Sequence, residues 1–204
     1  MTVCTPRALR AALLATLVSA APAFSAAPAF SAAPPGRYIQ DPAKSSLEYS
    51  FIQAGAQNKG TFKKFSTTLD FAPDNLAASK LEVTIDMTSF DTGDKERDDT
   101  LRGADLFDVV KYPQARFTSA QIAKTPSGYD ATGKLTLRGV SRDIHVPFTL
   151  RTANEQGKPV SYLTGKASLK RLEFGVGQGD WKSTEWVGDA VTITYSVRLT
   201  AAAP

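Results

Sequence analysis

The sequence predicts an all-β fold of antiparallel strands, closed as an up-and-down barrel or stacked as a sandwich, with one short helical excursion. Three observations predict it. Eight segments alternate apolar and polar residues with a period of two. Clusters of Gly, Pro, Asn and Asp separate those segments at short intervals. A single stretch, residues 89–119, interrupts the alternation with a helical pattern.

Taken in order, the first strand begins at Ser46, with Leu47, Tyr49 and Phe51 on one face and Ser46, Glu48, Ser50 and Ile52 on the other. Residues 54–60, AGAQNKG, read as a glycine-containing turn. Then come Thr61-Phe62, Lys64-Phe65, Leu69 and Phe71, ended by the turn Pro73-Asp74-Asn75. Leu81, Val83, Ile85 and Met87 alternate with Glu82, Thr84 and Asp86, the clearest strand of the chain. In the interruption, Asp91 or Thr92 is expected to cap a helix with Asp94 and Glu96 in its first turn, and Gly103 to supply a left-handed stop. A second short turn follows from Asp105 to Val110. Leu101, Leu106, Phe107 and Val110 are the apolar residues here, suited to plugging one end of a barrel or folding over its mouth. The helix is placed between strands 4 and 5.

Beyond it, residues 117–122 resume β structure. Pro126-Ser127-Gly128 turns into a strand with Tyr129, Ala131, Gly133, Leu135 and Leu137 on one face. Arg138-Gly139-Val140 turns into Ile144, Val146, Phe148 and Leu150, and residues 154–159 read as a polar loop. Leu163, Gly165, Ala167 and Leu169 share the next face, and Val191, Ile193, Tyr195, Val197 and Leu199 make the closing strand. Gly133, Gly165 and Ala167 among larger residues predict room in the lumen, and eight strands are just enough to hold one slender ligand. No strand is apolar on both faces, which argues against a membrane-spanning barrel.

The N-terminus reads as an export signal: Arg7 and Arg10, an apolar run over residues 11–18, then small residues that allow cleavage after Ala20, Ser25 or Ser31. Residues 22–27 and 28–33 repeat PAFSAA as a low-complexity spacer, so residues 1–33 are assigned to signal and spacer, and residues 36–200 to one domain. Cys4 precedes the apolar run, so the exported chain lacks cysteine and with it disulfides, thiolate nucleophiles and cysteine metal sites. Without Arg7 and Arg10, 22 basic side chains face 20 acidic ones, giving +2 in place of +4. The basic residues form no aromatic-interleaved stripe, so nucleic acid is not an expected partner.

Candidate chemistry is sparse. The one histidine, His145, lies between Ile144 and Val146 and is expected to point outward, without a triad or a metal set around it. Asp94, Glu96, Asp98 and Asp99 read as a solvated helix face with Lys95–Asp99 and Asp98–Arg102 as i,i+4 pairs; catalytically, Asp98 with Arg97 or Arg102 is the alternative. The glycines of Phe174-Gly-Val-Gly-Gln-Gly-Asp-Trp181 lack the closing Lys-Ser/Thr of a phosphate loop and read as a flexible β-loop. Trp181 and Trp186 are placed near the barrel mouth. The inward apolar set is Tyr49, Phe51, Phe65, Val83, Ile85, Leu101, Phe107, Phe117, Phe148, Phe174 and Trp181.

Several motifs together resemble one known family: Gly60-Thr-Phe-Lys-Lys-Phe65; Asp91-Thr-Gly93 with Arg97-Asp98 and Leu101; Phe107-Asp-Val-Val-Lys-Tyr-Pro113 with Ala115-Arg-Phe117; Gly133-Lys-Leu-Thr-Leu-Arg-Gly-Val140; and Arg171-Leu-Glu-Phe-Gly175. From about Tyr38 to Leu199 the chain is similar to the YceI-like exported lipid-binding proteins. The resemblance implies an eight-stranded antiparallel lipocalin-like barrel whose apolar tunnel holds a polyisoprenoid chain. The GVGQGDW segment resembles a subset related to domains found beside cytochrome b561, which brings in a polyprenylated quinone. The expectation is therefore a periplasmic isoprenoid binding or carrier protein, not an enzyme, with no cofactor beyond that ligand, no nucleic acid and no stable membrane insertion. A homodimer and a transient contact with a membrane protein are compatible with it. The rival readings are an enzyme acting on a polyprenyl head group and a ligand-free structural or stress-related module.

Overall fold

The computed structural model describes Met1 and residues 33–202, so the signal, its cleavage sites and most of the PAFSAA repeat lie outside the described residues. Eleven strands form one antiparallel sheet: β1 Gly36–Gln40, β2 Ser46–Gln53, β3 Ala56–Phe62, β4 Phe65–Phe71, β5 Lys80–Asp86, β6 Phe90–Asp91, β7 Gln114–Thr125, β8 Gly128–Leu137, β9 Val140–Glu155, β10 Lys158–Lys170 and β11 Val187–Ala201. The helix α1 is Lys95–Arg102. β1 and β2 are two halves of one stave, because both pair with β11, through Tyr38↔Ala201 and through Tyr49↔Ile193. β3 and β4 are likewise one kinked stave, since β3 pairs with β2 and β4 with β1. β5 and β6 make the third, β5 pairing with β4 and β6 with β3. The ring closes as an eight-stranded antiparallel barrel.

Counted as staves, three precede α1. The helix therefore lies between the third and fourth staves, not between the fourth and fifth, and the 61–71 segment only bends at Lys63-Lys64. Backbone groups freed by that bend are satisfied by one residue: Lys63 N donates to the Ser89 carbonyl (3.0 Å) and Lys64 N to Ser89 Oγ (3.0 Å). The gap between β1 and β2 is stitched by Arg198, which pairs with Asp41 (2.7 Å) and Glu155 (2.8 Å). Two expected loops are tighter than the sequence suggests. Ala54-Gly55 and Gln156-Gly157 both have positive φ at each central residue, as does Arg138-Gly139, the geometry of two-residue type I′ hairpins. Residues 56–60 and 158–159 are therefore strand.

At one end of the barrel the connections are residues 72–79, 126–127 and 156–157, and the floor beneath them is packed. Tyr38, Leu69, Phe71, Ile122, Ala131, Phe148, Leu150 and Leu199 are buried there. Phe71 meets Tyr129 edge-on at 5.2 Å, and Tyr129 stacks on Phe148 at 5.5 Å, both within the 4.5–7 Å preferred for aromatic pairs. The opposite end carries α1 and the two long connections, residues 103–113 and 171–186. Among the described residues no helix is long and apolar enough to cross a membrane.

Candidate functional site

Above the floor, the inward faces of the staves enclose a cavity of about 180 Å³, against the roughly 10–15 Å³ one water needs on the same measure. Val187 and Val197 of β11 both line it. Their ten-residue separation at about 3.3 Å per residue, tilted by roughly 35–45°, corresponds to roughly 25 Å along the barrel axis. Its wall is made by side chains of one parity, such as Leu81, Val83, Ile85 and Met87 of β5, so strand alternation alone generates an apolar interior.

Nine of the eleven candidate residues line this cavity: Tyr49, Phe51, Phe65, Val83, Ile85, Leu101, Phe107, Phe117 and Phe174. Phe148 faces inward but lies in the packed floor against Tyr129. Trp181 packs partly buried against the core outside the cavity wall, and Trp186 is 71% exposed. The small residues do not share one role. A Cβ on Gly133 would lie 2.2 Å from the Thr118 carbonyl, because β7 bulges there between Ser119 and Gln121. A Cβ on Gly165 would lie 2.7 Å from the Tyr195 ring, which covers it. Both positions are filled by neighbours, not by lumen; of the three, only Ala167 lines the cavity.

The end bearing α1 is closed mainly by the connection after the helix. Leu106 and Val109 are buried, and Phe107 meets Phe90 at 5.5 Å. This connection is pinned from two sides: Arg138 donates to the Ala104 carbonyl (2.6 Å), and Gly177 N (3.0 Å) and Gln178 N (2.7 Å) donate to that of Asp105. The helix itself is held more lightly. Its N-cap is Asp94, which accepts from Arg97 N at 3.1 Å, rather than Asp91 or Thr92. Asp91 instead accepts from Gly93 N (2.8 Å), and Thr92 donates through N (3.0 Å) and Oγ1 (2.8 Å) to buried Asp98. Asp98 thus turns inward to brace the DTG segment and does not pair with Arg102, which reaches Asp99 (3.1 Å) and lies 5.0 Å above the Phe90 ring. The Lys95–Asp99 pair forms as expected. Gly103 stops the helix in extended geometry, φ −63°, ψ 164°, so no left-handed cap exists. Arg97 lies beside Asp94 (3.8 Å). The catalytic alternative built on Asp98 with Arg97 or Arg102 therefore meets three side chains already engaged in local structure.

A group that sequence reasoning passed over organises the second connection. Arg171 is 6% exposed and donates five hydrogen bonds, all to backbone carbonyls: Gly188 (3.0 Å), Val176 (3.0 Å), Trp181 (2.7 Å), Ser183 (3.0 Å) and Val187 (2.8 Å). Burial lowers its pKa, partly offset by the nearby Asp189. The glycine-rich segment is accordingly no flexible loop but two short 3₁₀ turns, Arg171–Phe174 and Gly179–Lys182, tied to one guanidinium. Gly177 is fixed by that tie, since a Cβ there would lie 2.0 Å from Arg171 Nη1. The RLEFG motif carries the signal, an arginine abutting apolar residues, but five carbonyl partners spread over residues 176–188 are visible only in three dimensions. His145 points outward as expected, beside Asp130 at 2.7 Å.

The profile of the YceI-like domain matches residues 38–199. A YceI protein of Escherichia coli is 49% identical over 124 residues, which is 59% of this chain and 65% of that protein. Its Salmonella newport counterpart is 46% identical over 137 residues, 65% of this chain and 69% of that one. Among solved structures, Burkholderia cenocepacia BcnA superposes with a TM-score of 0.72 at 38% identity, covering 78% of this chain and 98% of BcnA. A polyisoprenoid binding domain from Saccharophagus degradans superposes at 0.57 with 16% identity, over 81% and 98%, a likeness of fold alone. With all of its barrel but the outermost two residues of β1 and of β11 inside the matched range, and its inner wall continuous from Leu47 to Val197, the chain belongs to the YceI-like family.

Proposed function

We propose that this protein binds an isoprenoid lipid, either a polyprenyl chain or a polyprenylated quinone, inside the barrel, and carries it in the periplasm without transforming it. The observation behind this reading is the character of the wall: a tunnel built from the inward faces of all eight staves, with no cationic side chain left over for a charged ligand among the described residues, because the one guanidinium of these that lines it spends its five N–H groups on carbonyls. Burial is then the binding force. Each methylene removed from water contributes about 0.8 kcal/mol, so a five-carbon unit contributes roughly 4 kcal/mol before ordering costs. The polyisoprenoid-binding domain that shares the fold supports the ligand class. The N-terminal pattern that reads as an export signal supports the compartment.

Native mass spectrometry of the purified protein, followed by organic extraction, tests this reading. The expected result is a mass increment whose extract contains an isoprenoid chain. Protein that carries no lipid and takes none up from added polyprenol would favour the ligand-free module, and turnover of an added polyprenyl phosphate would favour the enzyme.

A further inference from the structure

Large apolar side chains left in solvent are concentrated at the α1 end of the barrel. Apart from Met1, those among the described residues are Ile39, Ile52, Val110 and Trp186, and all but Ile39 lie at that end. Val110 is 93% exposed and Trp186 71%. They make two spots on one rim. Trp186 adjoins the β2–β3 hairpin, its carbonyl accepting from Ala54 N at 2.7 Å. Ile52 stands on the outer face of the same hairpin, where Gly188 of β11, whose Cβ would lie 3.5 Å away, supplies no side chain to cover it. Val110 belongs to the connection 103–113, two residues before Tyr112, whose ring lies against Gly139 in the β8–β9 turn. β10 separates β9 from β11, so the two spots sit apart around the rim.

Single exposed apolar residues are ordinary on a protein surface; what sets these apart is where they stand. The packed floor closes the other end, so a ligand enters at the rim that carries them. Each five-carbon unit left in water costs about a thousandfold in population, so a chain of several units does not cross water between a bilayer and the tunnel. The rim must touch the bilayer. Three side chains in two separated spots fall short of the roughly 800 Å² per partner of a stable protein interface, whereas a tryptophan and two aliphatic side chains among charged neighbours suit the boundary between head groups and acyl chains. In the same two connections Lys111 and Lys182 stand with Asp108, Asp180 and Glu185, so no excess of positive charge selects anionic head groups. We propose that the α1 end of the barrel docks transiently on a phospholipid bilayer, inserting Trp186, Ile52 and Val110 at the head-group boundary, so that the apolar chain passes between bilayer and tunnel without entering water. This inference rests on the lipid-binding reading above and adds the surface from which the ligand is taken.

The test measures transfer of a fluorescent polyprenol from phosphatidylcholine vesicles to the delipidated protein, for wild type, Trp186→Ser, Val110→Ser and the floor-end control Ile39→Ser. Equilibrium affinity for the same polyprenol delivered in detergent micelles is measured alongside. The wild-type transfer rate is expected to rise in proportion to vesicle concentration, as collision requires. Trp186→Ser is expected to slow transfer about five- to tenfold and Val110→Ser about threefold, following the apolar area each removes from the contact, while Ile39→Ser stays at the wild-type rate. Affinity in micelles is the same for all four proteins, since none of the three residues lines the cavity. A rate that does not depend on vesicle concentration overturns the proposal, as does equal slowing by Ile39→Ser, a micellar affinity that falls as far as the rate in Trp186→Ser, or transfer that starts only when phosphatidylglycerol is added. Wild-type protein that binds the polyprenol from micelles but takes none from vesicles overturns this inference alone; binding from neither overturns the lipid-binding reading with it.

Discussion

At the scale of single residues, Ala167 and Arg171 separate the wall of the tunnel from the frame that holds it. Ala167 is buried on the cavity wall opposite Ile193 and meets open volume, not backbone. Replacing it with Phe fills that volume, so Ala167→Phe is expected to lower polyprenyl affinity at least tenfold while costing less than the roughly 1–3 kcal/mol of an overpacked core. Calorimetric titration beside thermal melting checks this; a variant that unfolds while its folded fraction binds normally would show the site to be packed core. Arg171 behaves oppositely. Arg171→Lys retains the charge but offers three donors in place of five, leaving buried carbonyls unpaired, and is expected to destabilise by about 2–4 kcal/mol in denaturant unfolding. A cost under about 0.5 kcal/mol would mean that the connection does not depend on the guanidinium. The inner wall is legible in the sequence because side-chain parity is local: reading every second residue from Leu47 or Leu81 finds it. The roles of Gly133 and Gly165 are not legible, since each depends on a neighbour brought close by pairing, the Thr118 carbonyl in one case and the Tyr195 ring in the other.

At the scale of elements, α1 and the connection behind it divide the closure of the tunnel between them. α1 contributes Leu101 to the cavity wall and Asp98 to the DTG brace, whereas residues 104–109 are pinned by Arg138, Gly177 and Gln178. The lightly held helix is the expected lid and the pinned connection the fixed plug. Hydrogen exchange should then be faster over residues 95–102 than over residues 106–112 in the empty protein, and only the helix should gain protection on loading with polyprenol. Equal, strong protection of the helix in both states would make it part of the plug. The existence of this helix is legible from its acidic first turn, but its boundaries are not: Asp94, Asp91, Thr92 and Asp98 are all cap-capable, and only tertiary placement assigns Asp94 to the cap and Asp98 to Thr92. At the other end, Arg198 ties the gap between β1 and β2 to the β9–β10 hairpin. The Arg198 guanidinium, with Tyr162, holds Glu155 down from the ordinary 4.5 to about 2. A carboxylate depressed in this way stabilises the fold above its unfolded pKa and loses that contribution as pH falls from about 4.5 through about 2. The difference in melting temperature between wild type and Glu155→Gln is therefore expected at pH 7 and should close across that window; a gap constant down to pH 2 would contradict it.

At the scale of the whole molecule, the barrel is a container whose capacity follows from its dimensions. Eight staves give a lumen one chain wide, the aromatic floor at Phe71, Tyr129 and Phe148 closes one end, and the cavity runs roughly 25 Å above it. Eight alternating segments with one helical interruption are enough to read the all-β fold from sequence. What the sequence does not yield is that β1 continues into β2 as one stave and β3 into β4 as another, because the bends at Asp41 and Lys63-Lys64 are bridged by residues distant in the chain, Arg198 and Ser89. If burial of the chain along this lumen is the binding force, affinity must depend on ligand length and hardly on salt. The direct measurement is the affinity of the delipidated protein for polyprenyl chains of increasing length, at low and high ionic strength. The expected result is at least a tenfold gain for each isoprene unit until the lumen is filled, then a plateau, with little change in salt. Affinity that is independent of chain length, or that falls tenfold or more at high salt through a phosphate clamp at Arg97, Arg102 or Lys111, would contradict it.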